Sequence, residues 1–148
     1  MIGAARRART APQVRLVPAA AAALLAIGCT GFGGLDARAL EGSHWQAIKV
    51  AAEVPVAGRE PTIKLGPGNV SGFAGCNEYA SAAFVIEGDR LLTGGLGTGA
   101  MVCEDPRVMA VEEAYYDALL SVERIEVREG VLVLSGTAGE LVFRRISG

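Results

Sequence analysis

Two short segments and the helix pattern behind them constrain the fold of this chain more than any other feature. The first segment, residues 69–79, contains a Gly75-Cys76-Asn77 turn, and the second, residues 98–106, contains Met101 and Cys103. Apolar residues then recur every three or four positions, at Val108, Val111, Tyr115, Leu119 and Val122. This spacing predicts a helix with one face toward a core. Each segment is a weak signal alone, and the three in this order form a more specific pattern than any one of them.

The helix has a clear start signal. Asp105 can accept a hydrogen bond as an N-cap, and Pro106 suits the first helical position, so we expect a helix near 105–121. Its apolar stripe should face inward together with Trp45. Glu112, Glu113 and Asp117 lie near or off the stripe, and this pattern predicts a solvated face.

The rest of the chain is typical of short strands joined by tight turns. Gly88-Asp89 between two apolar runs predicts a hairpin. The strand-like runs lie at 46–50, 61–65, 70–75, 82–87, 90–93, 124–128, 131–134 and 141–144. We therefore expect a mainly β (α+β) fold, in which about seven or eight short antiparallel strands form a small, incomplete barrel-like sheet with one α-helix.

In this combination and order, the chain resembles the META domain family, small envelope proteins that include heat-inducible enterobacterial lipoproteins. The resemblance covers residues 40–146 and rests on Gly75, Cys76, Asn77, Met101, Cys103 and Glu112. It implies a compact, incomplete barrel with the helix packed between its two halves. The family is largely without known chemistry, so the resemblance implies a fold and an envelope role but no substrate.

The chain departs from the family pattern at two places. Glu78 follows Asn77 where the family often has Arg, and Gly99-Ala100 precedes Met101 where it often has Thr-Arg. Both changes remove a basic residue near the cysteine pair. An anion-binding role is therefore not carried over to this chain.

The first 28 residues have the features of an export signal. Arg6, Arg7, Arg9 and Arg15 form a basic region ahead of an apolar run at 17–27. That run is too short to span a bilayer, which takes about 20 residues, so we interpret 1–28 as a signal peptide. We place a flexible Gly-rich tether at 29–39 and the folded domain at 40–148.

Two cleavage sites compete. Residues 25–29 resemble a lipobox that ends in Cys29, whereas Ala37-Arg38-Ala39 offers an ordinary signal peptidase site. We favour lipidation at Cys29, which would anchor the protein to a membrane of the cell envelope. Cleavage after Ala39 would instead give a soluble periplasmic or extracellular protein, and the corresponding alternative function is a small-ligand-binding barrel.

Either cleavage leaves Cys76 and Cys103 as an even pair in an oxidising compartment, where disulfides persist. A structural disulfide is our main interpretation, and free buried thiols and a redox pair are the alternatives. A zinc site is excluded as an interpretation, because His44 is the only histidine and no Cys-x-x-Cys motif exists.

Charge and motifs argue against several functions. The chain has 14 Lys and Arg against 16 Asp and Glu, and loss of the four signal-peptide arginines leaves a net charge of −6 with no basic run. From this charge we expect no nucleic-acid partner. Without a Gly-x-Ser-x-Gly elbow, a second histidine or a phosphate-binding loop, we expect no enzyme activity and no cofactor.

The remaining expectation is a monomeric envelope protein that acts by binding an unidentified envelope protein or by envelope maintenance under stress. Asn77 could be a binding residue at the barrel mouth, but we interpret it as a turn residue that bonds its own backbone. Residues 94–100 contain four glycines and predict a loop or a weak edge strand. This Gly-rich segment is our candidate contact surface, provided that the helix fills the barrel.

Overall fold

The computed structural model describes residues 37–147, which form one antiparallel sheet and two helices. The elements in chain order are α1 Ala37–Leu40, β1 His44–Val50, β2 Thr62–Gly66, β3 Asn69–Phe73, β4 Glu78–Ser81, β5 Phe84–Glu87, β6 Arg90–Thr93, β7 Gly97–Thr98, α2 Pro106–Leu120, β8 Val122–Arg128, β9 Val131–Gly136 and β10 Gly139–Ser147. The signal peptide, Cys29 and most of the tether lie outside the described residues.

The sheet is curled into a half-barrel. Its ten strands run in the order β5-β6-β8-β9-β10-β1-β2-β3-β4-β7, with β10 and β1 pairing along most of their length at the centre. The curl brings the first strand of this order close to the eighth, because Phe84 at the start of β5 donates its backbone N–H to the carbonyl of Gly68 at 3.2 Å. The two edge strands of the sheet are β5 and β7.

Helix α2 packs against β1, β9 and β10 of this half-barrel. The Asp105 side chain accepts from the backbone N–H of Arg107 at 2.9 Å, and Pro106 occupies the first turn, so the helix begins where the sequence predicts. It ends at Ser121, whose N–H bonds back to the carbonyls of Asp117 and Ala118. Ser121 then meets the β9–β10 turn, where its hydroxyl accepts from the N–H of Ala138.

The space between the helix and the sheet is filled by apolar side chains. Tyr115, Leu119 and Val122 are buried with Trp45 in one core cluster, as the helical stripe predicts. The largest fully buried side chains are Trp45, Tyr115 and Phe143, and Phe143 packs edge-on against Tyr115.

Among the helices of residues 37–147, none is long and apolar enough to cross a membrane.

The predicted fold class is confirmed, with two more strands than the sequence indicates. β4 is missed because only four residues alternate, and half of them are the small residues Ala80 and Ser81. β7 lies in the Gly-rich segment, for which the sequence allowed either a loop or a weak edge strand. It is a two-residue edge strand paired with β4. At the other end of the domain, Ala37–Leu40 forms a helical turn with Leu40 buried, so residues 37–39 of the expected tether belong to this turn.

We expect Gly72→Ala to lower the free energy of unfolding by about 2 kcal/mol. Gly72 lies on the inner face of β3, and an added Cβ would collide with the carbonyl oxygen of Thr62 and the Tyr79 hydroxyl. Urea unfolding followed by circular dichroism measures the change. Gly95→Ala is the matched control, because nothing lies within 4 Å of its Cβ position. Equal stability of the two variants would contradict the close approach.

Candidate functional site

The residues that carry the family pattern converge where the β3–β4 turn meets α2 and the segment before it. Cys76 and Cys103 form a disulfide with their Cα atoms 5.9 Å apart, inside the limit of about 7 Å that such a bond allows. Cys76 is fully buried and Cys103 is half-buried. The bond joins the β3–β4 turn to the segment that leads into α2. We call Cys76, Asn77, Met101, Cys103 and Glu112 the motif clamp.

Glu112 is the central acceptor of the motif clamp. Its Oε2 accepts the backbone N–H groups of Cys76 at 2.9 Å and Asn77 at 2.6 Å, and its Oε1 accepts from the Asn77 side-chain amide at 2.8 Å. The residue is 6% exposed. The sequence prediction of a solvated Glu112 is therefore wrong, because three N–H groups from the β3–β4 turn replace water around the carboxylate. Glu113 and Asp117 are exposed, as predicted.

Asn77 holds the second segment in place. Its amide nitrogen donates to the carbonyl of Met101 at 2.9 Å, and its amide oxygen accepts the N–H of Met101 at 2.8 Å. An amide donates from its nitrogen and accepts at its oxygen, so it can pair with both backbone groups of one residue. The interpretation of Asn77 as a residue that bonds its own backbone is wrong, because its partners lie on two other segments. Its side chain is also buried rather than presented at the barrel mouth.

Gly75 gives the turn its shape. Its φ of +117° is a conformation that side chains with a Cβ rarely adopt, and it lets the chain reverse between β3 and β4. The turn closes with the N–H of Ala74 donating to the carbonyl of Asn77 at 2.8 Å. This geometry directs the N–H groups of Cys76 and Asn77 toward Glu112.

A tyrosine cluster lies next to the motif clamp, with Tyr79 on β4 and Tyr115 and Tyr116 on α2. The hydroxyls of Tyr79 and Tyr115 are 2.6 Å apart, and both lie within hydrogen-bond distance of the Thr62 carbonyl. Each phenol has one proton, so one donates to the carbonyl and the other to its neighbour. Burial, and then the charge of Glu112, raises the pKa of Tyr116 to about 12. These phenols are neutral at physiological pH and act as core residues.

The motif clamp fixes its backbone but leaves two apolar side chains in solvent. Met101 is 64% exposed and Val102 is 85% exposed, although both Met101 backbone groups bond to Asn77. Val102 was not singled out from the sequence. The available signal was an aliphatic residue between two motif positions in a stretch without strand or helix periodicity. The site therefore combines a rigid backbone with an exposed apolar tip.

Chemically, the arrangement is suited to holding segments together rather than to proton transfer. The Glu112 carboxylate is occupied by N–H donors, and the sulfurs of Cys76 and Cys103 are bonded to each other. Within residues 37–147 no group of three His, Cys, Asp or Glu side chains could hold a metal ion. Glu78 is exposed and takes no part in the motif clamp.

The half-barrel sheet, the single capping helix and the clamp between them define a small disulfide-tied β domain. The META domain family model matches residues 38–147. The chain therefore belongs to the META domain family, and the resemblance noted from its motifs is confirmed.

Two solved structures have the same fold. An NMR structure of a protein from Burkholderia xenovorans is 27% identical, with a TM-score of 0.62 over 76% of this chain and 87% of that one. A second protein, also solved by NMR, is 17% identical, with a TM-score of 0.62 over 74% of this chain and 94% of the other, and supports the fold alone. Among curated proteins no match was found.

We expect Glu112→Gln to reduce the free energy of unfolding by about 2–3 kcal/mol. A glutamine has one acceptor oxygen and would turn an NH₂ group toward N–H donors that now meet a carboxylate. Glu113→Gln, on the exposed face of the same helix, should change stability by less than about 0.5 kcal/mol. Guanidinium titrations of both variants test this, and a Glu112 variant as stable as the Glu113 variant would refute the acceptor role.

Reduction of the Cys76–Cys103 bond should lower stability by about 3 kcal/mol, since it frees a loop with a sequence separation of 27. The measurement is urea unfolding with and without dithiothreitol. The double variant Cys76→Ala, Cys103→Ala serves as control and should not respond to reductant. A wild-type curve that is unaffected by complete reduction would contradict the expected contribution.

Proposed function

We propose that this META domain protein is an exported, non-enzymatic protein of the cell envelope that acts by binding an envelope component or by maintaining the envelope under stress. The observation that carries the proposal is the Cys76–Cys103 disulfide inside the motif clamp. Structural disulfides persist in oxidising compartments outside the cytoplasm. Export also agrees with the basic and apolar regions of residues 1–28.

Binding through the outer surface is favoured over a small-molecule carrier. The centre of the half-barrel is filled by Trp45, Tyr115 and Phe143, each at most 2% exposed. The grooves beside α2, along β9 and β10, and along β2 to β4 are open to solvent and do not enclose the barrel interior. Recognition then uses outer surfaces, among which the Gly-rich segment 94–100 is one candidate for contact with an envelope protein.

The α1 turn supports lipidation at Cys29 over cleavage after Ala39. The N–H of Glu41 donates to the Arg38 carbonyl at 3.2 Å, and the N–H of Ser43 donates to the carbonyl of buried Leu40 at 3.1 Å. Cleavage after Ala39 would remove the first three residues of α1 and leave Leu40 as a charged terminus at the edge of the core. Cleavage before Cys29 keeps this turn whole and gives a membrane anchor.

The test is the mature N-terminus of the native and substituted chains. We expect mass spectrometry to find diacylglycerol on Cys29 and fractionation to place the native protein with membranes. Cys29→Ser should move the protein to the soluble fraction, because it removes the only thiol that can carry the lipid there. Ala39→Gln, which spoils the competing site, should change nothing. A native N-terminus at Leu40 would overturn the anchor and support the soluble alternative.

A further inference from the structure

The most exposed large apolar side chains of the described residues lie on two segments at the same helix end. Val54 is 81% exposed and joins Met101 and Val102, whereas the next in order, Leu120, is 52% exposed. Residues 52–57, which we call the Val54 loop, face Pro106 and Arg107 across a groove. On the other segment, the N–H of Cys103 contacts the Met109 sulfur at 3.4 Å. Both segments thus adjoin the first two turns of α2.

A groove runs between the Val54 loop and α2. It is open to solvent, has a volume of about 750 Å³ and is lined by residues 52–57 on one side and by Pro106, Arg107, Ala110 and Val111 on the other. The walls are mostly aliphatic or proline side chains. We call it the α2 groove. Pockets of a few hundred Å³ with apolar walls and few polar groups are typical of binding sites.

Charge at the α2 groove selects the kind of occupant. The Arg107 guanidinium is taken up by Asp105, with its Nη2 2.7 Å and its Nε 3.1 Å from the two carboxylate oxygens. Glu53 lines the α2 groove. Glu104 follows Cys103, two residues after the exposed Val102. Both are exposed, and neither has an ion pair among residues 37–147. The connection from β1 to β2, which includes the Val54 loop, also carries Arg59 and Glu60, whose opposite charges offset each other. The apolar surface is thus bordered by a net negative charge from Glu53 and Glu104.

The path of the chain places this groove away from the N-terminal segment. β1 runs from His44 to Val50. α1 lies just before its first residue, and the Val54 loop lies just after its last residue. Seven strand residues span about 20 Å. A protein anchored through residues before Ala37 would therefore be attached at the opposite end of β1. Anionic lipid headgroups would in addition be repelled by Glu53 and Glu104.

We infer that the α2 groove and the Met101–Val102 tip form a docking surface for a protein segment with aliphatic side chains flanked by Lys or Arg. The inference rests on the proposed function as a binding protein and gives the partner its chemistry. The aliphatic residues would enter the α2 groove beside Val54, and the basic residues would meet Glu53 and Glu104. The motif clamp presents the tip without the entropy cost of ordering it, because Asn77 already fixes the Met101 backbone.

The test uses the exported full chain with Cys29→Ser and two defined peptides of about twelve residues. One alternates Leu with Lys and the other alternates Leu with Glu, and fluorescence anisotropy gives the dissociation constants. We expect the Lys peptide to bind at least about tenfold more tightly. Val54→Ser and Glu53→Lys should each weaken its binding about fivefold or more. Leu92→Ser and Glu87→Lys, at an exposed apolar and an exposed acidic position of the β5–β6 hairpin, should leave it unchanged.

Three results would overturn the inference. They are no measurable binding of the Lys peptide, an equal loss at the β5–β6 hairpin controls, and binding to phosphatidylglycerol vesicles that depends on Val54. Unfolding curves of the four variants guard against loss of structure, and all four positions are exposed in the native fold. A failure here would leave the proposed envelope function standing, because lipid on Cys29 and membrane fractionation are measured without any peptide.

Discussion

The structure depends on one buried carboxylate. Glu112 accepts N–H groups from Cys76 and Asn77 and so ties the capping helix to the β3–β4 turn, across a sequence distance that no local interaction covers. A buried charge is costly unless its hydrogen-bond capacity is met, and here the turn supplies the donors in place of a basic partner. The N–H groups of a tight turn would otherwise be buried without acceptors. Each side of the contact therefore removes a cost that the other would incur alone.

From this contact the rest of the helix end follows in order. Once the β3–β4 turn is fixed, Asn77 is positioned to pair with both backbone groups of Met101, and Cys103 comes within bonding distance of Cys76. Hydrogen bonds orient the segment, and the disulfide limits how far it can separate in the unfolded chain. The result is irregular backbone that is held at Met101 by hydrogen bonds and at Cys103 by the disulfide, with the Met101 and Val102 side chains at the surface.

Local signals in the sequence were sufficient for the helix, the hairpins and the mainly β class. Asp105-Pro106 and the stripe through Tyr115 and Leu119 needed no distant information. Glu112 shows where such signals stop. Position on the helix placed it near the polar face, but its burial is decided by donors on a turn 35 residues earlier in the chain. The prediction for Asn77 was wrong for the same reason. An amide side chain can bond to its own backbone or to distant segments, and only the folded topology decides which partners it meets. The four residues of β4 carry too weak a local strand signal, and they form a strand because they pair with β3 and β7.

The position of the disulfide has one more consequence, for resistance to proteases. The covalent ring between Cys76 and Cys103 contains β4, β5, β6 and β7, which include both edge strands of the sheet. Exposed Gly-rich backbone such as residues 94–100 is where proteases cut most readily. A single cut there leaves the two fragments joined through sulfur, with β4 and the β5–β6 hairpin still paired to their neighbours. In the oxidised protein, nicking in this segment and loss of the fold are therefore separate events.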